Sequence, residues 1–129
     1  MVRKCLTPAL RNGRSLIEDQ AVQRRLARTA THVAAATVLH FRSLWISAEV
    51  KPNPAYGPAS KLFSSEVYRT DASDLLNLTA PESLVFDSAA AAFINLGYRH
   101  SQVATIYGGT SEVHRSMIAE KQLGLPRTR

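Results

Sequence analysis

The segment Ile106-Tyr107-Gly108-Gly109-Thr110-Ser111-Glu112 holds the residue types best suited to chemistry in this chain. Two adjacent glycines admit backbone angles and close approaches that other residues forbid. The apolar spacing that follows predicts a helix from about Thr110 to Leu123, carrying Val113, Met117 and Ile118 and stopped by Gly124 and Pro126. The first N–H groups of a helix lack intrahelical partners, and the hydroxyls of Thr110 and Ser111 fall at the same place. The pattern describes a small site for an anion or an amide at a helix N-terminus. It equally describes a turn followed by an N-cap, and the residues leave both readings open.

Other candidates are weaker. His32, His40, His100 and His114 make no HxxxH or HExxH pair, and Cys5 is the only cysteine, so no metal site is expected. No nucleophile elbow, phosphate loop or GxGxxG turn is present. Glu66 and Asp74, eight apart on one expected helix, read as solvated carboxylates, and Cys5 lies far in sequence from any histidine. No catalytic residue is assigned from the residue pattern.

The elements that must position the glycine segment are helices. Val22, Leu26, Ala30, Val33, Thr37, Phe41 and Leu44 recur at steps of three and four, predicting an amphipathic helix from about Asp19 to Ala48 with Glu18 and Asp19 in its first turn. The turn-rich 51–58 segment ends it, and Pro58 suits the first turn of a second helix running to about Thr79, where Ala80-Pro81 stops it. A third apolar segment spans Leu84 to Leu96 with Gly97 as its C-cap glycine, and residues 98–109 are left unassigned. No convincing alternating strand is seen. The expected fold is all-α, an antiparallel four-helix bundle in up-down order.

Composition bounds the function classes. The chain has 129 residues and 45% hydrophobic residues, which fits one globular domain and not a disordered chain. No run approaches the roughly 18 apolar residues of a membrane span, and the N-terminal residues lack the apolar core of a signal peptide. A lone Cys5 fits a reducing, cytoplasmic setting. Residues 1–28 hold seven Lys or Arg against Glu18 and Asp19, so nearly all of the net charge of +6 lies there. That asymmetry supports a second function class, a basic helical interaction module for nucleic acid or another anionic partner, although the first 40 residues offer no aromatic side chain. The plainer account is a solvated basic helix face.

The run Tyr107-Gly-Gly-Thr-Ser-Glu-Val-His-Arg115, continuing through Ile118-Ala-Glu120 to Leu123-Gly-Leu-Pro-Arg127, resembles the C-terminal signature of the acyl-CoA dehydrogenase family. Ala21-Val-Gln-Arg-Arg-Leu-Ala27, Pro58-Ala-Ser-Lys-Leu62, Ser65-Glu66 and Ser101 through Thr105 follow in the expected order, so the resemblance covers roughly residues 19–127. It implies the C-terminal helical domain of a flavoprotein that desaturates acyl-CoA thioesters between Cα and Cβ. On that reading residues 19–129 are the helical domain. Residues 1–18 are a basic lead-in, with Thr7 to Asn12 the remnant of a first bundle helix that is otherwise missing, as are the family's N-terminal and middle domains.

Carried over by position, Thr110, Ser111 and Glu112 match the stretch that contacts FAD, and Tyr107 and Gly109 match positions beside the flavin and the thioester. Gly108 stands where many members carry the catalytic glutamate, and a glycine side chain accepts no proton. Gln102 replaces an expected basic residue, and 87–97 lack the Gln-rich glycine motif by which many members hold a neighbouring subunit's FAD. The implied role is to contribute FAD contacts and oligomer packing without catalysing alone. Its partners would be a second copy or a chain supplying the missing domains, with acyl-CoA the substrate of the complete enzyme, and neither membrane nor nucleic acid is expected.

Overall fold

The computed structural model describes residues 10–11, 14–48, 53–86 and 88–127. The described part of the lead-in is a two-residue antiparallel ladder, β1 (Leu10–Arg11) against β2 (Arg14–Ser15), and not a helix. The rest of the expected helix remnant, Thr7 to Ala9 and Asn12, lies outside the described residues. A 3-10 turn (Leu16–Glu18) leads into α1 (Gln20–Ala48). There follow α2 (Tyr56–Leu78), the single turn α3 (Glu82–Val85), α4 (Ala89–Ala104) and α5 (Ser111–Leu123). The fold is all-α, with four long helices as the spacing predicts.

Local chemistry explains the boundaries. Asp19 stands before α1 and not in its first turn; its carboxylate accepts the Ala21 N–H at 2.7 Å, the role of a capping acid. The Asn53 side chain accepts the Ala55 N–H at 2.9 Å and opens α2, with Pro58 buried in the first turn. The expected third segment is two helices. Phe86 between them adopts φ 55, and the Ser88 hydroxyl caps α4 by accepting the Ala91 N–H at 3.1 Å. Gly97 lies inside α4, which continues to Ala104, so it is no C-cap; its carbonyl accepts the Tyr68 hydroxyl at 2.9 Å. Gly124, in the left-handed region, closes α5 as expected.

α2 is the central element and packs against α1, α4 and α5. Its pairing with α1 is antiparallel, since Arg25 meets Asp74, His32 meets Asp71 and Arg42 meets Tyr56. Its pairing with α4 is antiparallel too, since Lys61 meets Ala104 and Tyr68 meets Gly97. Val22 and Leu78 form one buried cluster with Leu16, Ile17, Leu26 and Leu75 against it. Around the buried α2–α4 contact, Ser83 donates to the Leu76 carbonyl and the Asn95 amide donates to the Ser83 carbonyl, both at 2.9 Å, which pins the α3 turn.

The apolar stripe of α1 is only partly covered. Val22 is buried, whereas Val33, Phe41 and Leu44 stay more than half exposed. The stripe borders an open groove of about 620 Å³ between α1, α2 and α4, with Val33, Phe41, Val67, Leu75, Phe93 and Ile94 on its walls. No helix among the described residues is long and apolar enough to cross a membrane.

Much of the exposed charge near the α1 N-terminus is used internally. The Arg25 Nε donates to both Asp74 oxygens at 2.9 Å, and Arg28 reaches the same carboxylate at 3.0 Å. The hydrogen bonds from Arg25, ahead of its charge and that of Arg28, hold the Asp74 carboxyl below the usual carboxylate range. A depressed folded-state value means that the contribution is complete above the unfolded value, near pH 4, and disappears as pH falls through the folded one. Asp74→Asn is expected to cost about 1 kcal/mol at pH 7, the pair being partly open to solvent. Urea unfolding at pH 7 and pH 2.5 checks this, the difference between the two proteins shrinking at the lower pH.

Candidate functional site

The glycine segment joins α4 to α5. Behind it, the N–H groups of Ile106 and Tyr107 both bond the Val103 carbonyl, at 3.0 and 3.1 Å, tightening the last turn of α4. Gly108 follows at φ 68 and Gly109 at φ 103, both in the left-handed half of backbone space. Thr110 is the N-cap of α5; its hydroxyl oxygen accepts the Val113 N–H at 3.3 Å. A Cβ on Gly109 would stand 3.0 Å from His114 Nε2, whereas one on Gly108 would meet nothing within 4 Å. Only Gly109 is therefore required on both conformational and steric grounds.

Three side chains hold this segment from inside. The Lys61 ammonium donates to the carbonyls of Ala104 at 2.7 Å and Gly109 at 3.1 Å, and sits 5.7 Å from the centre of the Tyr107 ring. His114, buried in α5, reaches back through Nε2 to the Gly108 carbonyl at 3.1 Å. A carbonyl only accepts, so Nε2 carries the proton; Nδ1 is buried without a partner among the described residues. The buried Ser111 hydroxyl donates to Glu66, whose carboxylate also faces Arg115 at 3.5 Å.

The outer side of the segment is exposed and polar. Glu112 is open to solvent, and its carboxyl is held below the ordinary value first by its own backbone N–H and then by the Thr110 hydroxyl. It remains a charged acceptor at neutral pH. Tyr107 is half exposed, 5.9 Å from the His100 ring, which lies at the same distance from Tyr68. Burial, then the neighbouring Tyr107, raises the Tyr68 phenol above its usual value, so it stays protonated and donates to Gly97.

Thr110, Glu112, Tyr107, Gly108 and Gly109 thus lie along one short stretch of surface with Ser111 buried beneath it, and they differ in what they offer. Thr110 and Glu112 present polar groups outward. Both donors of Ser111 are committed inside the fold, its N–H to the Thr105 carbonyl at 3.2 Å and its hydroxyl to Glu66. Gln102, exposed, reaches only its own helix. Sequence reading missed Lys61 and His114, although Lys61 falls within the Pro58–Leu62 match; no spacing rule links either residue to a glycine pair. It also missed the His32–Asp71 pair lining the groove, Nδ1 to Oδ2 at 2.9 Å. Among the described residues no cluster of three potential metal ligands occurs.

A family model described as "Acyl-CoA dehydrogenase, C-terminal domain" matches residues 5–123. The chain belongs to this family. Among curated proteins, benzylmalonyl-CoA dehydrogenase of Aromatoleum aromaticum is 28% identical over 109 residues, covering 84% of this chain and 28% of that protein. The acyl-CoA dehydrogenase IpdE1 of Mycolicibacterium smegmatis is 27% identical over 110 residues, 85% of this chain and 27% of its own length. The chain spans less than a third of these relatives. Among solved structures, a chain of the ChsE4-ChsE5 complex from Mycobacterium tuberculosis superposes with TM-score 0.84 at 26% identity, covering 99% of this chain and 34% of that one. A chain in a structure described as the electron transferring flavoprotein of Acidaminococcus fermentans also gives TM-score 0.84, at 24% identity over 95% of this chain and 31% of that one, a likeness of fold.

The family implies a flavin, and the outward-facing residues of the segment that would meet it are Glu112 and Tyr107. Glu112 is an ionised acceptor, and Tyr107 adds an exposed aromatic face. Such a set suits the polar edge of a flavin nucleotide from one side. The described residues around it form an exposed strip and not an enclosing pocket, so they fit as part of a cofactor site.

Proposed function

We propose that the chain is the C-terminal helical part of a flavin-dependent acyl-CoA dehydrogenase assembly, acting on acyl-CoA thioesters. It contributes contacts to FAD and surface for oligomer packing and does not catalyse alone. The observation that carries the reading is the exposed segment before α5, backed by Lys61 and His114, with the Glu112 carboxylate open to solvent beside the Thr110 N-cap. FAD would supply the hydride acceptor for the hydrogen on Cβ of the thioester, and Thr110 and Glu112 are the residues of this chain that would hold it. In this reading Thr110 and Glu112 face the cofactor, and Ser111 contributes by tying α5 to Glu66 on α2. Tyr107 and Gly109 would lie beside the flavin and the thioester. Gly108 supplies no general base, so the carboxylate that removes the α-proton comes from elsewhere in the assembly.

The open groove along α1 supports the oligomer half of the proposal. The row of exposed apolar side chains on α1, Val33, Phe41 and Leu44 among them, suits burial against a partner, here a second copy or the remainder of the flavoprotein. The Mycobacterium tuberculosis neighbour is itself described as a complex of two named components. A cytoplasmic setting accords with the single Cys5. The nucleic-acid alternative is disfavoured, because Arg25 and Arg28 are both engaged with the Asp74 carboxylate and the first 40 residues hold no Phe, Tyr or Trp to stack on a base.

Titration of the protein with FAD, followed by flavin fluorescence and calorimetry, tests the cofactor role. Saturable binding is expected, weakened about tenfold or more by Thr110→Ala combined with Glu112→Ala, since two polar contacts of about 1 kcal/mol each are removed. Absence of binding, or binding indifferent to the double substitution, rejects the assignment of these residues.

A further inference from the structure

We propose that Lys61 is a positioning residue: together with His114 it sets which way the peptide planes of the double glycine face. The inference rests on the flavin reading only for what the segment finally meets. The geometry stands without it. The Lys61 ammonium bridges two elements, since Ala104 ends α4 and Gly109 precedes the N-cap of α5. A cation suits the first of these, because the last carbonyls of a helix lack partners and carry partial negative charge. The same ammonium then holds the Gly109 carbonyl, and His114 holds the Gly108 carbonyl next to it.

Planarity of the peptide bond carries the consequence. In a trans peptide the C=O of one residue and the N–H of the next point in opposite directions. With the Gly108 carbonyl drawn to His114, the Gly109 N–H points away from His114. With the Gly109 carbonyl drawn to Lys61, the Thr110 N–H points away from Lys61. Neither N–H has an acceptor among the described residues. Two consecutive backbone donors are thus left unpaired beside Tyr107 and Glu112, an arrangement suited to an acceptor oxygen of a ligand. Without Lys61 the Gly109 carbonyl loses its partner, and the Gly109 side of the Gly109–Thr110 peptide is free to turn because glycine occupies the alternatives; only the Thr110 side stays held, as the N-cap of α5. His114 fills the space under Gly109 and restrains only the plane before it.

Charge alone does not account for the placement. Lys61 makes no ion pair with any described residue; its partners are two carbonyls and the Tyr107 ring. The part-buried ammonium commits two of its donors to backbone oxygens on either side of the glycine pair and thereby fixes their direction.

The test uses the whole 129-residue protein. Proton-detected NMR of the lysine ammonium groups should give a slowly exchanging Lys61 signal in the wild type, which free surface ammonium groups do not. Lys61→Met keeps the stem and removes the donors. It is expected to speed amide exchange at Ser111 and Val113 about tenfold or more while leaving Thr79, at the far end of α2, unchanged. FAD affinity should fall about tenfold in Lys61→Met and recover in part in Lys61→Arg. A missing ammonium signal, or unaltered exchange at Ser111 and Val113, overturns the positioning role whatever FAD does. Should the wild type not bind FAD while the ammonium and exchange results appear as expected, the flavin reading fails and the positioning role stands. If Lys61→Met does not fold, the ammonium signal of the wild type and the exchange of Lys61→Arg decide the matter.

Discussion

Gly109→Ala is expected to destabilise the protein by about 2–3 kcal/mol and to remove whatever flavin affinity the segment supplies. Two separate penalties meet at this position. An L-residue at φ 103 occupies a region that side chains rarely adopt, and the added methyl carbon arrives 3.0 Å from His114 Nε2. The imidazole has little room to yield, being 7% exposed and hydrogen-bonded to Gly108. Moving it breaks that bond and leaves both ring nitrogens unpaired. The neighbouring Gly108→Ala is the internal control. Its φ of 68 lies where an L-residue costs about 1 kcal/mol, and the space beyond is open. Urea unfolding of the two variants should therefore separate them by about 1–2 kcal/mol, although their sequences differ only in which glycine is lost. Equal effects would mean that His114 does not sit against Gly109. A large effect on stability with unchanged FAD affinity would mean that the conformation of the turn does not matter to the cofactor.

The reason Gly109 could be ranked above Gly108 is tertiary. In the chain the two glycines are equivalent, and the residue that distinguishes them enters from the first turn of α5. The same limit explains what else was legible. The bounds of α1, α2 and α5 follow from signals that act locally: the Asp19 cap, the prolines after residue 51, Thr110 and Gly124. The break between α3 and α4 had such a signal in Ser88, three residues before the Ala91 N–H it accepts, but Asp87-Ser88 is flanked by apolar residues on both sides and reads as part of one apolar segment. Residues 98–104 escaped assignment because the inward face of α4 is partly polar there. Ser101 is fully buried and Asn95 nearly so, each satisfied by hydrogen bonds that hydropathy does not register. Gly97 has the same composition signal as a cap and serves instead inside the helix beside Tyr68. The site stretch was legible because it is contiguous. Its supports, Lys61, Glu66 and His114, were not, because two of them arrive from α2, more than forty positions away.

Removal of His32 should have the second large effect. Asp71 is a buried carboxylate, 5% exposed, and His32 Nδ1 lies 3.1 and 2.9 Å from its two oxygens. His32 is held in turn edge-on to Phe63, with ring centres 6.3 Å apart. His32→Ala strips the carboxylate of this partner and is expected to cost about 3 kcal/mol, the usual consequence of leaving one half of a buried polar pair. Some water reaches the pair from the groove, which holds the loss near the lower end of that range. The double variant His32→Leu with Asp71→Leu removes the obligation altogether and should be much less damaging than the single change, because apolar replacements of a buried pair are often close to neutral. A thermodynamic cycle completed with Asp71→Leu separates the pairwise contribution from the loss of packing. The groove gives the comparison functional content. If a partner helix covers α1, the double variant presents it with a more apolar floor. Light scattering should then show association at least as strong as in the wild type. Loss of association with stability retained would mean instead that the His32–Asp71 pair itself is read by the partner.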